Sequence, residues 1–245
     1  MTYCLALQTR DGLVFASDSR TTAGVDFVST YRKLHVFQPA PDRFLVLFTS
    51  GSLATSQELL DRVNRDLDSP ASRESLRSVS YLFEAAQYLG RLLTEIQASH
   101  AAFLSATGAN GQATVIIGGQ IAGKPAGLYL VYPEGNYIAA SPETPYLQLG
   151  EFKYGKPVLS RLASEQLSLD DAARLAIVSL DATMKSNISV GPPVEVAIYR
   201  NGMLRLEHHL VMDEHSGLFQ QMLERWNDGM RAAFDRMPRF DWEGK

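Results

Sequence analysis

Four short pieces of this sequence hold residue types that could break an amide bond: Thr2, Asp18, Lys33 and Ser50-Gly51-Ser52. A threonine hydroxyl is a weak nucleophile and needs a base. Once Met1 is removed, that base can be the threonine's own α-amine, whose ordinary pKa of ~7.7–8.0 leaves part of it neutral near pH 7. A nearby ammonium opposes protonation of the amine and lowers its pKa further, and Lys33 could supply it. A lysine in a partly buried site needs a counter-charge, for which Asp18 is the candidate. The oxyanion formed when a carbonyl is attacked needs backbone donors. Gly51, at a strand-to-helix turn, offers an N–H near the helix's positive end. Taken singly, each piece has an ordinary explanation: a β-branched strand former, a strand-end turn residue, a solvated charge beside Arg32, and a helix cap. Only their combination describes a chemical device.

Other motifs fail on their details. Gly118 to Pro125, GGQIAGKP, nearly matches a phosphate-binding loop. Its last position is a proline, which has neither a hydroxyl for magnesium nor a backbone N–H, so a hairpin connection is expected there. The histidines at 35, 100, 208, 209 and 215 form no HExxH and no close ligand set with carboxylates, so neither a metal nor a cofactor is expected. No GxSxG elbow is present. Cys4 is the only cysteine, which excludes an internal disulfide, and its apolar neighbours suggest a small core residue.

The 245 residues are 45% apolar and 20% charged, enough for a sizeable core. A net charge of -4 without any Lys/Arg-rich run argues against nucleic acid as a partner. No apolar run reaches the ~18 residues of a membrane span, and the first residues lack the pattern of a secretory leader. No membrane partner is expected, and the expected location is cytoplasmic.

These chemical groups must be positioned by strands and helices. Apolar runs at 2–8, 13–19, 28–30, 34–37 and 44–49 read as strands, with Asp11-Gly12 as a hairpin signal. Helical spacing then predicts helices over 52–68 and 75–101. Strands return at 113–118, 127–132 and 137–140, followed by helices near 154–165 and 168–187. Ser168 with Asp171 resembles a capping box. A hairpin at 194–199 and 204–210, around Asn201-Gly202, precedes a last helix over 216–236 that should bury Phe219, Leu223, Trp226, Met230 and Phe234. Runs of strands followed by runs of helices indicate an α+β fold of two sheets covered by helix pairs. Residues 1–245 are expected to form one domain, with a C-terminal helix and short tail at about 216–245.

The opening segment resembles proteasome β subunits and the bacterial protease HslV. It shares an N-terminal Thr2, a strand ending in Asp18 with Thr21-Thr22-Ala23-Gly24 close behind, Lys33 on a later strand, and the Gly51 turn before a helix. Thr2-Tyr3-Cys4, the stretch Leu149 to Pro157 and the stretch Asp181 to Asn187 are similar to Anbu, the bacterial proteasome-related subfamily. The resemblance covers nearly the whole chain and implies the four-layer αββα sandwich of N-terminal-nucleophile hydrolases. It also implies that Asp181 supports the nucleophile. The family's serine three residues later is Met184 here, with Ser186 as a substitute, and Gly150-Glu151 stands where proteasome β subunits have Ser-Gly. By the same resemblance, Thr21, Thr49 and Leu53 should approach the substrate residue before the scissile bond, favouring a small-to-medium apolar side chain.

The implied function is that of a self-assembling threonine peptidase or amidase. A silent assembly scaffold of the same fold and an amidase acting on a small non-peptide amide remain as alternatives. The expected partners are a peptide or amide substrate and further copies of the chain, in a ring or an open spiral. The residues do not indicate a partner ATPase. Apolar positions on the helices of 52–68 and 75–101, together with Tyr81, Phe83 and Tyr88, suggest surfaces for self-association.

Overall fold

Leu13 to Ala16 and Phe44 to Phe48 run apolar without alternation, which requires that both faces of their sheets be covered. A computed structural model describes residues 2–22, 28–69 and 74–243. Met1, Ala23 and Gly24, used in the sequence reading, lie outside the described residues.

The chain opens with β1 (Tyr3–Thr9), β2 (Gly12–Asp18), β3 (Arg20–Thr22), β4 (Val28–Thr30), β5 (Leu34–Ala40) and β6 (Arg43–Gly51). Helices α1 (Leu53–Asp68) and α2 (Leu82–Thr107) follow, then β7 (Ala113–Ile121), β8 (Gly127–Val131), β9 (Tyr137–Ala139) and β10 (Tyr146–Gly150). Helices α3 (Phe152–Leu162) and α4 (Leu169–Ser186), strands β11 (Val194–Arg200) and β12 (His208–Met212), and helix α5 (Gly217–Asp235) complete it.

Two antiparallel five-stranded sheets result, in the orders β10-β1-β2-β11-β12 and β5-β6-β7-β8-β9, while β3 and β4 pair with each other. Alternation along the strands sorts the core into layers. In β1 and β2, Cys4, Ala6, Leu13 and Phe15 meet Phe44, Val46 and Phe48 of β6 between the sheets. Tyr3, Leu5, Leu7 and Val14 face the other way and pack on the buried stripe Leu169, Ala172, Ala176 and Leu180 of α4. Leu45 and Leu47 of β6 pack under Leu59 and Val63 of α1 and Leu89 and Leu93 of α2. This is the expected αββα order. Each fully buried aromatic or aliphatic side chain contributes about 1.5–3 kcal/mol.

The caps behave as their residue types dictate. Ser52 Oγ accepts the Thr55 N–H at the start of α1, and Ser168 Oγ accepts the Asp171 N–H at the start of α4. Residues 118–125 form the end of β7 and the turn into β8, as the proline in that stretch requires.

Several expectations need correction. Helix α2 begins at Leu82, not near 75, because Ser75 and Ser78 bond to local backbone and Glu84 Oε2 accepts the N–H groups of Ser80 and Tyr81, fixing the start there. Strand β10 was not anticipated; it pairs with β1 at the edge of the first sheet. Strand β12 starts at His208 because Leu204, at φ 52°, and Leu206 turn in to pack against the core between the sheets. In α5 only Phe219 is buried, whereas Met230 is 47% and Phe234 74% exposed, since the rest of the chain leaves the helix's second half uncovered. Of the three aromatics offered for self-association, Tyr88 packs inward and bonds Asp66, while Tyr81 and Phe83 remain exposed. Among the described residues, no helix is long and apolar enough to cross a membrane.

Candidate active site

The β1–β2 register pairs Cys4 with Ser17 and so brings Tyr3 beside Asp18. The Tyr3 N–H donates to Asp18 Oδ1 at 2.9 Å. The other end of the same peptide unit, the Thr2 carbonyl, accepts from the Glu151 N–H at 2.8 Å. The peptide bond that follows the candidate nucleophile is thus held from both sides. Gly150 makes this possible: it sits at φ +77°, and a Cβ there would lie 1.8 Å from the Thr2 carbonyl oxygen. Below Thr2, the Tyr3 hydroxyl lies 2.7 Å from Ser179 Oγ and accepts from Gln148 Nε2 at 2.6 Å. Burial pushes the Tyr3 phenol up to about 12, so it stays protonated in any working range.

Lys33 immediately precedes β5. Its Nζ donates to Asp18 Oδ1 at 2.5 Å and to the Arg20 carbonyl at 2.6 Å. Asp18 Oδ2 accepts from the Gly191 N–H at 3.2 Å. The side chains of Lys33 and Asp18 are 6% and 0% exposed. Burial pushes the Asp18 carboxyl above its ordinary range, and the Lys33 ammonium works against burial, followed by the two backbone N–H groups. The cation and the two N–H groups favour the ionised carboxylate against that burial, and the carboxylate holds the cation in place. Cys4, next along β1, is a buried free thiol whose pKa burial raises.

At the end of β6 the bonded step is Ser52 N–H to the Gln112 carbonyl, at 2.8 Å. Bonded and non-bonded positions alternate in an antiparallel ladder, so Gly51, paired with Ala113, turns its N–H away from β7. Gly51 sits at φ +108°, and a Cβ would lie 2.3 Å from the Gln112 carbonyl oxygen, so no other residue fits the turn.

Thr2, Thr21, Lys33, Thr49, Gly51 and Leu53 line one cavity of about 470 Å³. Six of the nine residues singled out from sequence are therefore together, with Asp18 directly behind Lys33. Asp181 and Ser186 are not among the lining residues. The Asp181 carboxylate accepts from Lys185 Nζ at 2.8 Å, and Ser186 is exposed at the end of α4. Met184, within α4, is partly buried and packs on the core.

The sequence reading missed Tyr31, Arg32, His35, Gln57 and Gly150, which also line the cavity. Period-two counting from Lys33 would have reached Tyr31 and His35, and helical spacing from Leu53 would have reached Gln57. Burial, and then the Arg32 charge, hold His35 below its ordinary range, so it is neutral at pH 7. A larger groove of about 620 Å³, lined by Leu162, Leu218, Met222 and Trp226 together with Asp171, Arg174 and Arg225, does not include Thr2.

Residues 2–199 match the family described as proteasome subunit. The structure is similar to Anbu (ancestral beta-subunit) from Yersinia bercovieri, with 38% identity over 98% of this chain and 100% of that one and a TM-score of 0.91. It is similar to the chain in the helical assembly of the Anbu complex from Pseudomonas aeruginosa, with 38% identity over 100% of both chains and a TM-score of 0.92. Anbu from Hyphomicrobium sp. strain MC1 aligns at 34% identity over 98% of this chain and 100% of that one, with a TM-score of 0.88. No curated protein matches the chain.

Proposed function

The chain belongs to the proteasome subunit family and, within it, to the Anbu group, and on that premise we propose that it is a self-assembling threonine peptidase or amidase with Thr2 as nucleophile. The reading requires that Met1 be removed. The observation that carries it is the peptide unit after Thr2, held by Asp18 and Glu151 while the Lys33 ammonium is locked on Asp18 beside the same cavity.

In the proposed reaction the Thr2 hydroxyl oxygen attacks the scissile carbonyl carbon, and its proton passes to the Thr2 α-amine. The carbonyl electron pair moves onto oxygen, where the Gly51 N–H stabilises it. Collapse breaks the C–N bond, and the α-ammonium returns its proton to the leaving amine. Water then attacks the Thr2 ester with the α-amine again as base, releasing a carboxylic acid and restoring the hydroxyl. Lys33 keeps the α-amine neutral, and Asp18 keeps Lys33 in position.

The helical assembly of the Pseudomonas aeruginosa relative supports self-association as part of the reading. The test is Thr2→Ala, which removes the hydroxyl and should abolish hydrolysis across a peptide-amide panel while leaving melting temperature and assembly unchanged. Undiminished turnover in Thr2→Ala overturns the mechanism.

One observation favours a second reading, an assembly scaffold without turnover. Asp181 is occupied by Lys185, and Ser186 faces solvent, so the supporting groups implied by the resemblance do not face the cavity. Intact mass of the protein from its native cell separates the two, because a retained Met1 turns the Thr2 nitrogen into an amide and leaves it no basicity.

A further inference from the structure

The cavity beside Thr2 carries three nitrogen bases, Arg32, Lys33 and His35, and among the described residues its lining includes no carboxylate. Lys33 is committed to Asp18 and to the Arg20 carbonyl. Arg32 and His35 remain to meet a guest.

Arg32 is oriented from behind. Its Nε lies 3.3 Å from Glu195 Oε1 and 3.4 Å from Oε2. Glu195 belongs to β11, opposite Ser17, and is itself 6% exposed, with His209 Nε2 at 3.6 Å. The grip through Nε leaves the two terminal nitrogens of the guanidinium for a ligand, and the Arg32 side chain is 55% exposed. The anions that balance the cavity's cations, Asp18 and Glu195, thus lie behind its wall, and the cations lie on it. A planar guanidinium fixed at one nitrogen matches a carboxylate with its remaining N–H groups better than a mobile lysine would.

The other walls agree with this. Neutral His35 offers one N–H, and Gln57 of α1, with the hydroxyls of Thr21 and Thr49, adds neutral hydrogen-bonding groups. Leu53 and Leu60 supply apolar surface for the methylenes of a side chain. Thr21, Thr49 and Leu53 alone suggest a small-to-medium apolar guest; the residues that complete the lining change that expectation.

We propose that this cavity takes a carboxylate side chain, Asp or Glu, on the substrate residue before the bond attacked by Thr2, with Arg32 as its ion partner and His35 as a second donor. The proposal rests on the reading of Thr2 as nucleophile, and its test is built so that the two can fail separately.

The experiment uses the Thr2→Ala protein, which binds without cleaving. Fluorescence anisotropy is read with short dye-labelled peptide amides that differ only in a last residue of Glu, Gln, Leu or Lys. The Glu peptide should bind about tenfold or more tighter than the Gln peptide, with Leu and Lys weaker still. Arg32→Gln alone strands the buried Glu195, so the decisive variant is Arg32→Gln with Glu195→Gln, which removes both charges together. It should bind the Glu and Gln peptides equally. Equal binding of Glu and Gln by the parent protein overturns the proposal. So does tighter binding of Leu, failure of all four to bind at millimolar concentration, or persistence of the Glu preference in the double variant. If the Glu preference holds while Thr2 of the wild-type protein resists a threonine-directed electrophile, the nucleophile reading fails and the pocket assignment stands.

Discussion

Gly150→Ala attacks the geometry of the site without touching a reactive group. The new methyl would lie 1.8 Å from the Thr2 carbonyl oxygen, against a usual contact distance of more than 3 Å, so the strand carrying Thr2 must move by roughly 1 Å or more. Holding alanine at φ +77° costs about 1–2 kcal/mol. Loss of the Glu151 N–H to Thr2 carbonyl bond, 2.8 Å in the native chain, adds about 0.5–1.5 kcal/mol. The total of about 1.5–3.5 kcal/mol corresponds to a melting temperature lower by about 3–14 °C for a chain of this size. The effect on chemistry is larger, because a misplacement of about 1 Å at a reacting group costs on the order of 100-fold in rate. The assay is the second-order rate of covalent capture of Thr2 by a threonine-directed electrophile, followed by mass spectrometry beside a thermal melt. A variant that melts lower but is captured at the wild-type rate refutes the claim that Gly150 and Glu151 position the nucleophile.

Lys33→Ala leaves Asp18 buried without its cation and should destabilise the fold by about 3–5 kcal/mol in a denaturant titration, with loss of turnover; normal activity would sink the Asp18–Lys33 assignment. The Cys4 thiol should resist alkylation at pH 8 in the folded protein and react once per chain in denaturant, since burial raises its pKa. The unfolded chain gives up that proton above the ordinary thiol pKa of ~8.5 while the folded chain keeps it, so this contribution to stability is present below pH ~8.5 and is lost as pH rises. Light scattering at micromolar concentration should give a mass well above the 27.0 kDa of one chain, because Tyr81, Phe83, Phe234, Phe240 and Trp242 are exposed; a mass of one chain removes self-association.

The sequence carried the parts of the fold that local chemistry decides. Apolar runs such as Tyr3 to Leu7 and capping residues such as Ser52 and Ser168 act within a few residues of themselves, and their elements lie where the sequence places them. The start of α2 was obscured because Leu76 and Val79 are buried like helical residues although they lie in a serine-bonded turn. Strand β10 was obscured because its reason for existing is tertiary: Gly150 must pass under Thr2, 148 positions away in sequence. The site divides in the same way. Thr2, Asp18, Lys33 and Gly51 could be found because their chemistry is distinctive and their spacing resembles that of a known family. Arg32 and Glu195 could not, because only the pairing of β2 with β11 brings Glu195 behind the cavity. Asp181 and Ser186 were drawn from a motif in which this chain differs, and the pairing of Asp181 with Lys185 is set by helical spacing rather than by the cavity.

The central claim is that Thr2 reacts as an N-terminal residue, with its hydroxyl and its amine acting together. The most direct measurement is peptide mapping by mass spectrometry after treatment with an electrophile that captures a hydroxyl and an amine on adjacent carbons at once. The account predicts one adduct per chain, located on an N-terminal peptide that begins at Thr2 and bonded through both groups, and no adduct in Thr2→Ala. An N-terminal peptide that remains unmodified, or an adduct on another residue while Thr2 stays free, would contradict it.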